Sequence, residues 1–243
     1  MKIKYFGKTD KGLKRLTNED IYHIESKRNV CLIADGMGGN ASGELASQIF
    51  RDTTLEVLKG ADLSGRKGAR ELIKEAYLSA NESIRERVRR HPSNYGMGCT
   101  AELAVYSDDK LLLGHIGDSR TYLLRGNRLR QLTHDHSVVQ SMIDQGLISE
   151  ADAKNNVHRH KILKAVGLEE NVEIDLITGT VRPGDIFLIC SDGVTDMVDN
   201  ATIASILGGD GRLSAKGSHL LKAIYQEGAL DNISFVLAQI VGI

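Results

Sequence analysis

The sequence predicts an α+β domain in which antiparallel sheets are covered by helices. Three observations carry this expectation. Strand-like runs do not alternate with helices, so the strand–helix–strand rhythm of a doubly wound parallel sheet is missing. Alternating apolar and polar residues mark "TAELAVY" and "NISFVLAQI" as strands. Two helical patterns stand side by side early in the chain, with a block of strands after them.

Taken in order, strands are expected at about 3–7, 21–25 and 30–34, then a helix over about 43–58. The clearest helix is "GARELIKEAYLSANESIRERVRR". There Leu72, Ile73, Ala76, Tyr77, Ala80, Ile84 and Val88 recur at three- and four-residue steps, with charges on the opposite face. Strands at about 100–106, 110–116, 120–125 and 128–132 form the next block. A polar, partly helical insertion over about 137–166 interrupts them; so long an excursion between strands is more often a lid or binding loop than scaffold. Strands at about 174–180 and 185–190, a helix near 215–227 and a strand at about 233–240 complete the series. With only two prolines, no repeat and no low-complexity linker, a single domain over residues 1–243 is expected.

Composition narrows the function classes. The 243 residues are 41% hydrophobic and 26% charged, as in ordinary globular proteins. A net charge of −1, from 31 basic and 32 acidic residues, gives no reason to expect a nucleic-acid partner. No export signal and no apolar stretch near the ~20 residues of a membrane span is visible, so a cytoplasmic address without membrane attachment is expected. Cys31, Cys99 and Cys190 form no CxxC pair and read as reduced, packed thiols. The pairs His134/His136 and His158/His160 lack the spacing of a zinc site.

Five acidic sites at strand edges hold the chemistry. "VCLIADGMGG" and "IFLICSDG" are apolar runs that stop at Asp35 and Asp192, each followed by glycine. Alternation assigns Cys31, Ile33 and Asp35 to one strand face, and Leu188, Cys190 and Asp192 to one face of the other. An ionised Asp continuing a buried face is costly unless it is paired, hydrogen-bonded or bound to a cation. Glycine beside it allows a tight turn and close approach to the main chain. A carboxylate next to an open carbonyl is a hard-oxygen donor set, suited to Mg²⁺ or Mn²⁺ rather than zinc. "RLTNED", "GHIGDSR" and "LDNISFVLAQI" share this character, presenting Glu19 with Asp20, Asp118, and Asp231 with Asn232. Each alone also reads as an ordinary turn, loop or helix cap.

Read together, "RLTNED", "ADGMGG…GE", "GMGCTA", "GHIGDSR", "LTHDHS", "SDGVTD" and "DNISFV" resemble the ordered motifs of the metal-dependent protein phosphatases, the PPM or type 2C family, in its bacterial form. The resemblance runs from about Asp10 to the C-terminus. It implies a four-layer α-β-β-α sandwich of two antiparallel sheets flanked by helix pairs. It further implies two Mn²⁺ or Mg²⁺ ions bridged by Asp35, with the Gly36 carbonyl on one and Asp192 and Asp231 on the other. By the same likeness Glu19 and Asp20 hold metal-bound waters, Asp118 serves a third, weaker site, and Arg15 grips the phosphate with its planar fork. Paired divalent ions can activate a bridging water for direct attack on phosphorus, so no protein nucleophile is needed. The implied substrates are phosphoserine and phosphothreonine in proteins, the implied counterpart a bacterial Ser/Thr kinase, and the expected state a monomer. The insertion matches the family's flap; His160 and Arg159 within it read as solvated rather than substrate-contacting.

The chain departs from the family pattern at a few places. Asn40 stands where relatives often carry His, and Met37 where some eukaryotic members have a proposed proton-donating His, which leaves the general acid unassigned. Cys99 replaces the usual Thr or Ser as a packing variation. None of these removes a metal ligand. A haloacid-dehalogenase phosphatase would need a DxDx[TV] motif, and a nucleotide kinase a phosphate loop ending in Lys-Ser/Thr; neither is present. A catalytically dead phosphoprotein-binding module on the same fold would have lost core acids that this chain retains.

Overall fold

The computed structural model describes residues 1–38, 42–63, 65–153 and 156–243, so Gly39 and Asn40 of the glycine-rich stretch lie outside the described residues. The chain begins with β1 (Lys2–Asp10), β2 (Asp20–Glu25) and β3 (Val30–Met37), followed by α1 (Ser42–Leu58) and α2 (Arg66–Arg90). Next come β4 (Gly98–Cys99), β5 (Ala101–Ser107), β6 (Lys110–Ile116), β7 (Arg120–Arg125) and β8 (Arg128–Gln131). Short helices α3 (Val138–Asp144) and α4 (Glu150–Ala153) occupy the insertion. Then β9 (Asp175–Thr180), β10 (Ile186–Cys190), α5 (Asp192–Thr195), α6 (Asn200–Gly208), α7 (Leu213–Gln226) and β11 (Ile233–Gly242) follow.

Two antiparallel sheets result, one ordered β1-β11-β10-β7-β8 and the other β2-β3-β5-β6-β9 with β4 paired to β3. Their facing sides share a core in which Cys31, Ile33, Tyr106 and Leu113 meet Phe187, Ile189, Val236 and Ala238. The outer face of the second sheet is covered by α1 and α2, through Phe50, Ile73, Tyr77 and Ile84 against Leu32, Leu103 and Val105. The outer face of the first is covered by α6 and α7, through Ile203, Leu207, Leu220 and Ile224 against Leu188, Phe235 and Leu237. Four layers in the order helix, sheet, sheet, helix follow from strands that bury both faces. Among the described residues no helix is long and apolar enough to cross a membrane.

Local chemistry explains the helices. The apolar stripe anticipated for α2 is the buried one, and Arg87, Arg89 and Arg90 in its last turn complement the helix dipole. Helix α6, which sequence periodicity did not mark, is short and starts on Asp199, whose carboxylate accepts from the Thr202 amide at 2.8 Å. Helix α3 is capped by Ser137 in the same way.

One facial assignment is corrected. Cys31 and Ile33 do point between the sheets, but Leu188 and Cys190 point outward to α6 and α7. Asp192 does not continue their face, because β10 ends at Cys190, Ser191 is the extended N-cap, and Asp192 is the first residue of α5. Strand parity stops where the helix begins.

Helix α2 sits directly on β6 because Gly114 has no side chain: a Cβ there would lie 2.6 Å from Ile73 Cγ2 and 2.8 Å from Tyr77 Cε2. The approach lets the Tyr77 hydroxyl donate to the Gly114 carbonyl at 2.7 Å. Gly114→Ala is therefore expected to destabilise the protein by about 1–3 kcal/mol through overpacking, read as a lower urea midpoint with an unchanged slope.

Candidate metal centre

Antiparallel pairing brings the C-terminal ends of β3, β6 and β10 to the same end of the sandwich as the starts of β2, β5, β7 and β11. The acids collect there. Asp20 opens β2 directly opposite Asp35 of β3, and such cross-strand neighbours hold their Cβ atoms about 4.5–5.5 Å apart. Asp118 lies in the β6–β7 connection, Asp192 starts α5, and Asp231 precedes β11. Ser191 Oγ donates to Asp20 Oδ2 at 2.7 Å and so ties the two sheet ends together.

Burial and mutual repulsion govern the charge state. Burial, then the neighbouring carboxylates Asp20, Asp192, Asp118 and Asp231, raise the pKa of Asp35 well above the ordinary range. Asp192 is raised well above it for the same reasons, with Asp118, Asp196, Asp231 and Asp20 as neighbours. Asp118 is pushed to about 7 by burial and by Asp135, against the lowering effect of Arg120. Asp20 is pushed to about 6 by burial, although Ser191 and Ser234 help its anion. Both are almost closed to solvent, at 7% and 8% exposure. Asp20 Oδ1 is buried without a hydrogen-bond partner. An all-oxygen donor set with a buried, unpartnered carboxylate oxygen fits hard divalent cations of the Mg²⁺ and Mn²⁺ type.

The glycines after the two acids serve close backbone approach. A Cβ on Gly36 would overlap the Gly43 carbonyl at the start of α1, and one on Gly193 would overlap the Asn232 carbonyl. Glu19 reaches the same place: its carbonyl accepts from Ser47 Oγ at 2.7 Å and from the Gly36 amide at 3.2 Å. Burial raises the Glu19 pKa, with Arg15 opposing. Arg15 is exposed, and its Nη2 donates to Asp231 Oδ2 at 2.7 Å. Its own pKa is raised first by that bond, then by the charges of Asp231, Asp192 and Asp35, which puts the guanidinium on the rim of the acid cluster.

All eight residues singled out in the sequence, Arg15, Glu19, Asp20, Asp35, Gly36, Asp118, Asp192 and Asp231, meet at this end of the sandwich. Other residues join them, among them His160, read from the sequence as a solvated flap residue. Asp196, one helical turn after Asp192, groups with Asp192 and the flap residue His160, whose Nδ1 is 3.6 Å from Asp196 Oδ2. "SDGVTD" contains that i, i+4 pair of acids, but no strand signal points to it. Thr100 receives the Asp35 amide at 3.3 Å and shares a 2.6 Å bond with Ser119, linking the Asp35 and Asp118 segments. Asp135 is held by the Arg120 Nε at 2.9 Å. Buried His115 bonds Glu102 through Nδ1 and donates from Nε2 to the His134 carbonyl at 2.9 Å. The insertion is closed at its root by the Cys99–Val166 and Ser137–Ile162 bridges.

Known proteins resemble this chain over nearly its whole length. The family model described as "Protein phosphatase 2C" matches residues 13–209. The chain is 32% identical over 244 residues to the serine/threonine phosphatase stp of Listeria innocua, covering 96% of this chain and 94% of that protein. Among solved structures, the serine/threonine phosphatase of S. agalactiae superposes with a TM-score of 0.92 at 31% identity, covering 98% of this chain and 99% of that one. The catalytic domain of the phosphatase PstP in complex with two manganese ions gives 0.88 at 32% identity, with 99% of each chain covered.

The raised carboxylates have a consequence for stability. A carboxyl whose folded pKa lies above its unfolded value stabilises the fold fully below the unfolded pKa and loses that contribution as pH rises through the folded one. For Asp20 and Asp118 the window runs from about 4 up to 6 and 7. Metal-free protein should therefore melt lower at pH 8 than at pH 5.5 in a calorimetric scan. Millimolar Mn²⁺ should raise the pH 8 transition and flatten the dependence; a melting point insensitive to both would contradict this account of the cluster.

Proposed function

The chain belongs to the protein phosphatase 2C family, and on that premise we propose that its gathered acids hold the Mn²⁺ or Mg²⁺ ions with which it dephosphorylates proteins. It is a metal-dependent serine/threonine protein phosphatase of bacterial type, a hydrolase acting on phosphoproteins. The observation that carries the site reading is the convergence of Asp20, Asp35, Asp118 and Asp192, all with raised pKa values, at one end of the sandwich. No basic side chain neutralises Asp20 or Asp35 through an ion pair among the described residues.

In this reading Asp35, the Gly36 carbonyl, Asp192 and Asp231 would hold two ions, Glu19 and Asp20 would hold water beside them, and Asp118 would contribute to a third site. When bound, the ions supply Lewis acidity toward the phosphoryl oxygens and increase the acidity of water. The chain's own groups do the rest. Arg15 uses one Nη on Asp231 and has the rest of its fork free for phosphate oxygens, offsetting their charge. Water adds to phosphorus as the P–O bond to the serine or threonine oxygen breaks, and that oxygen takes up a proton. Met37 has none to give, and no side chain of this chain is assigned to that step. Asp20, raised by burial, accepts from Ser191 and is held in one orientation. Single-domain organisation over residues 1–243, a monomeric state, a cytoplasmic setting and a Ser/Thr kinase as counterpart belong to the same proposal.

Asp192→Asn is expected to fold normally by circular dichroism and to lose at least about a hundredfold in Mn²⁺-dependent turnover of an aryl phosphate, more than the ~10–100-fold usual for an outer partner of a metal ligand. Near-normal turnover in a folded variant would reject the assignment. EDTA should silence the native enzyme and excess Mn²⁺ restore it; activity surviving thorough chelation would remove the metal from the reaction.

A further inference from the structure

Three large apolar side chains stand in solvent around the phosphate-gripping arginine. Leu13 is 60% exposed, Leu16 93% and Leu230 49%. Leu13 and Leu16 flank Arg15 along the chain, and Leu230 precedes the Asp231 that Arg15 holds at 2.7 Å. Their two loops are fastened to each other. The Leu13 amide donates to the Ala229 carbonyl at 2.8 Å, and Asn232 Nδ2 donates to the Lys11 and Thr17 carbonyls at 3.0 and 2.9 Å. Gly12 adopts φ +73°, and a Cβ there would overlap the Asp231 carbonyl, so the loops interlock only with glycine at that position. Ala229 holds φ +44°, a conformation that a non-glycine residue keeps only where its surroundings enforce it.

Isolated exposed leucines need no explanation, but these three ride on two loops that are fastened together beside Arg15. Exposed Lys11 and Lys14 stand in the same loop, so the rim is apolar and cationic together. We propose that residues 11–16 and Leu230 form a rail that reads the polypeptide around the phosphorylated residue, selecting an apolar side chain within two positions of it and an acidic one further out. The proposal rests on the phosphatase reading above. It commits to a phosphopeptide because the rail is continuous with the acid cluster through the Arg15–Asp231 pair, and because its charge complements an acidic chain. In an extended peptide, residues within two positions lie up to about 7 Å from the phosphorylated one, which matches recognition by groups adjacent to Arg15 in sequence. A small aryl phosphate carries no such flanks.

The test uses the full chain with Mn²⁺ and three substrates: para-nitrophenyl phosphate, a phosphothreonine peptide with leucine flanks and acidic ends, and the same peptide with serine flanks. The native enzyme should prefer the leucine peptide over the serine peptide by about tenfold in kcat/KM, the scale of a small apolar contact. The difference should fall mainly in KM, since flank binding is equal in ground and transition states. In the double variant Leu16→Ser, Leu230→Ser that peptide ratio should collapse toward one, with aryl phosphate turnover as the internal reference. Turnover of aryl phosphate with no flank preference, or a preference the variant retains, overturns the rail alone. No turnover of any substrate with Mn²⁺ would overturn the phosphatase reading and the rail with it. Both leucines are exposed, so the variant's fold is expected to be intact and is checked by its melting point.

Discussion

The rest of the structure depends on the forced proximity of carboxylates, of which Asp20, Asp35 and Asp192 form no ion pair with an Arg or Lys side chain among the described residues. The contrast with other buried acids in the same molecule makes this clear. Asp185 is gripped by Arg125 with Nε at 2.8 Å, Asp135 by Arg120 at 2.9 Å, and Glu102 by His115. Each of those carboxylates is matched by a base. The imidazole of His115 is driven down by burial, yet Glu102 and the His134 carbonyl outweigh this and raise it, while burial raises Glu102 as well against His115 and Thr121, so the two side chains hold a proton between them. At the end of the sandwich the chain instead packs Asp20, Asp35, Asp118 and Asp192 against one another and leaves their repulsion standing. Like charges so arranged either keep protons or take up cations. Among the described residues the fold pairs its other buried acids individually and leaves this group to repel, the arrangement on which the proposed metal site rests.

Holding such a group together requires backbone, because side chains would be pushed apart. Three glycines provide close contact: Gly36 against Gly43, Gly193 against Asn232, and Gly12 against Asp231. Asn232 then acts as a hub. Its Oδ1 accepts from the Glu19 amide at 2.8 Å, and its Nδ2 donates to two carbonyls of the loop after β1. Through Thr100, the Asp35 backbone and Ser119 are joined as well. The segments that carry the carboxylates are thus joined by neutral hydrogen bonds through Asn232 and Thr100, besides the bonds that Ser191 and Arg15 make to the carboxylates of Asp20 and Asp231 themselves.

Legibility in the sequence followed the kind of signal. Strands of the sandwich were visible because they bury one or both faces, and Asp35 could be placed because it continues the Cys31–Ile33 parity inside an unbroken strand. For Asp192 the same argument pointed to a residue that does join the acid cluster, but by the wrong route, since the chain leaves β10 at Cys190 and the acid is oriented by a helix start. Helix α6 left no periodic mark; nine residues give too few turns, and its Asp199 cap is indistinguishable from a loop acid before folding. Asp196 and His160 meet only because the insertion folds back over α5, a contact between distant segments that composition and spacing do not encode. Which acids face one another across two sheets is likewise tertiary information. The ordered family motifs bridged that gap, while the residues alone gave only five candidate edges.

Chemistry and recognition are divided between rigid and looped parts of the molecule, yet one turn joins them. The acids sit at strand and helix ends, whose geometry the sheets dictate. Arg15 and the flap sit on loops, where sequence can change without moving the acids. Asp231 and Asn232 belong to both parts. Asp231 stands in the acid cluster and receives Arg15, while Asn232 anchors the loop on which Arg15 rides and the Glu19 backbone beside it. A shift of that turn by a fraction of an ångström would displace the Asp231 carboxylate of the cluster and the Arg15 guanidinium together. What remains open to variation on these anchored loops is the side chains that project from them, Leu13, Leu16 and Leu230 among them, because their main chain is already committed to holding the acid cluster in place.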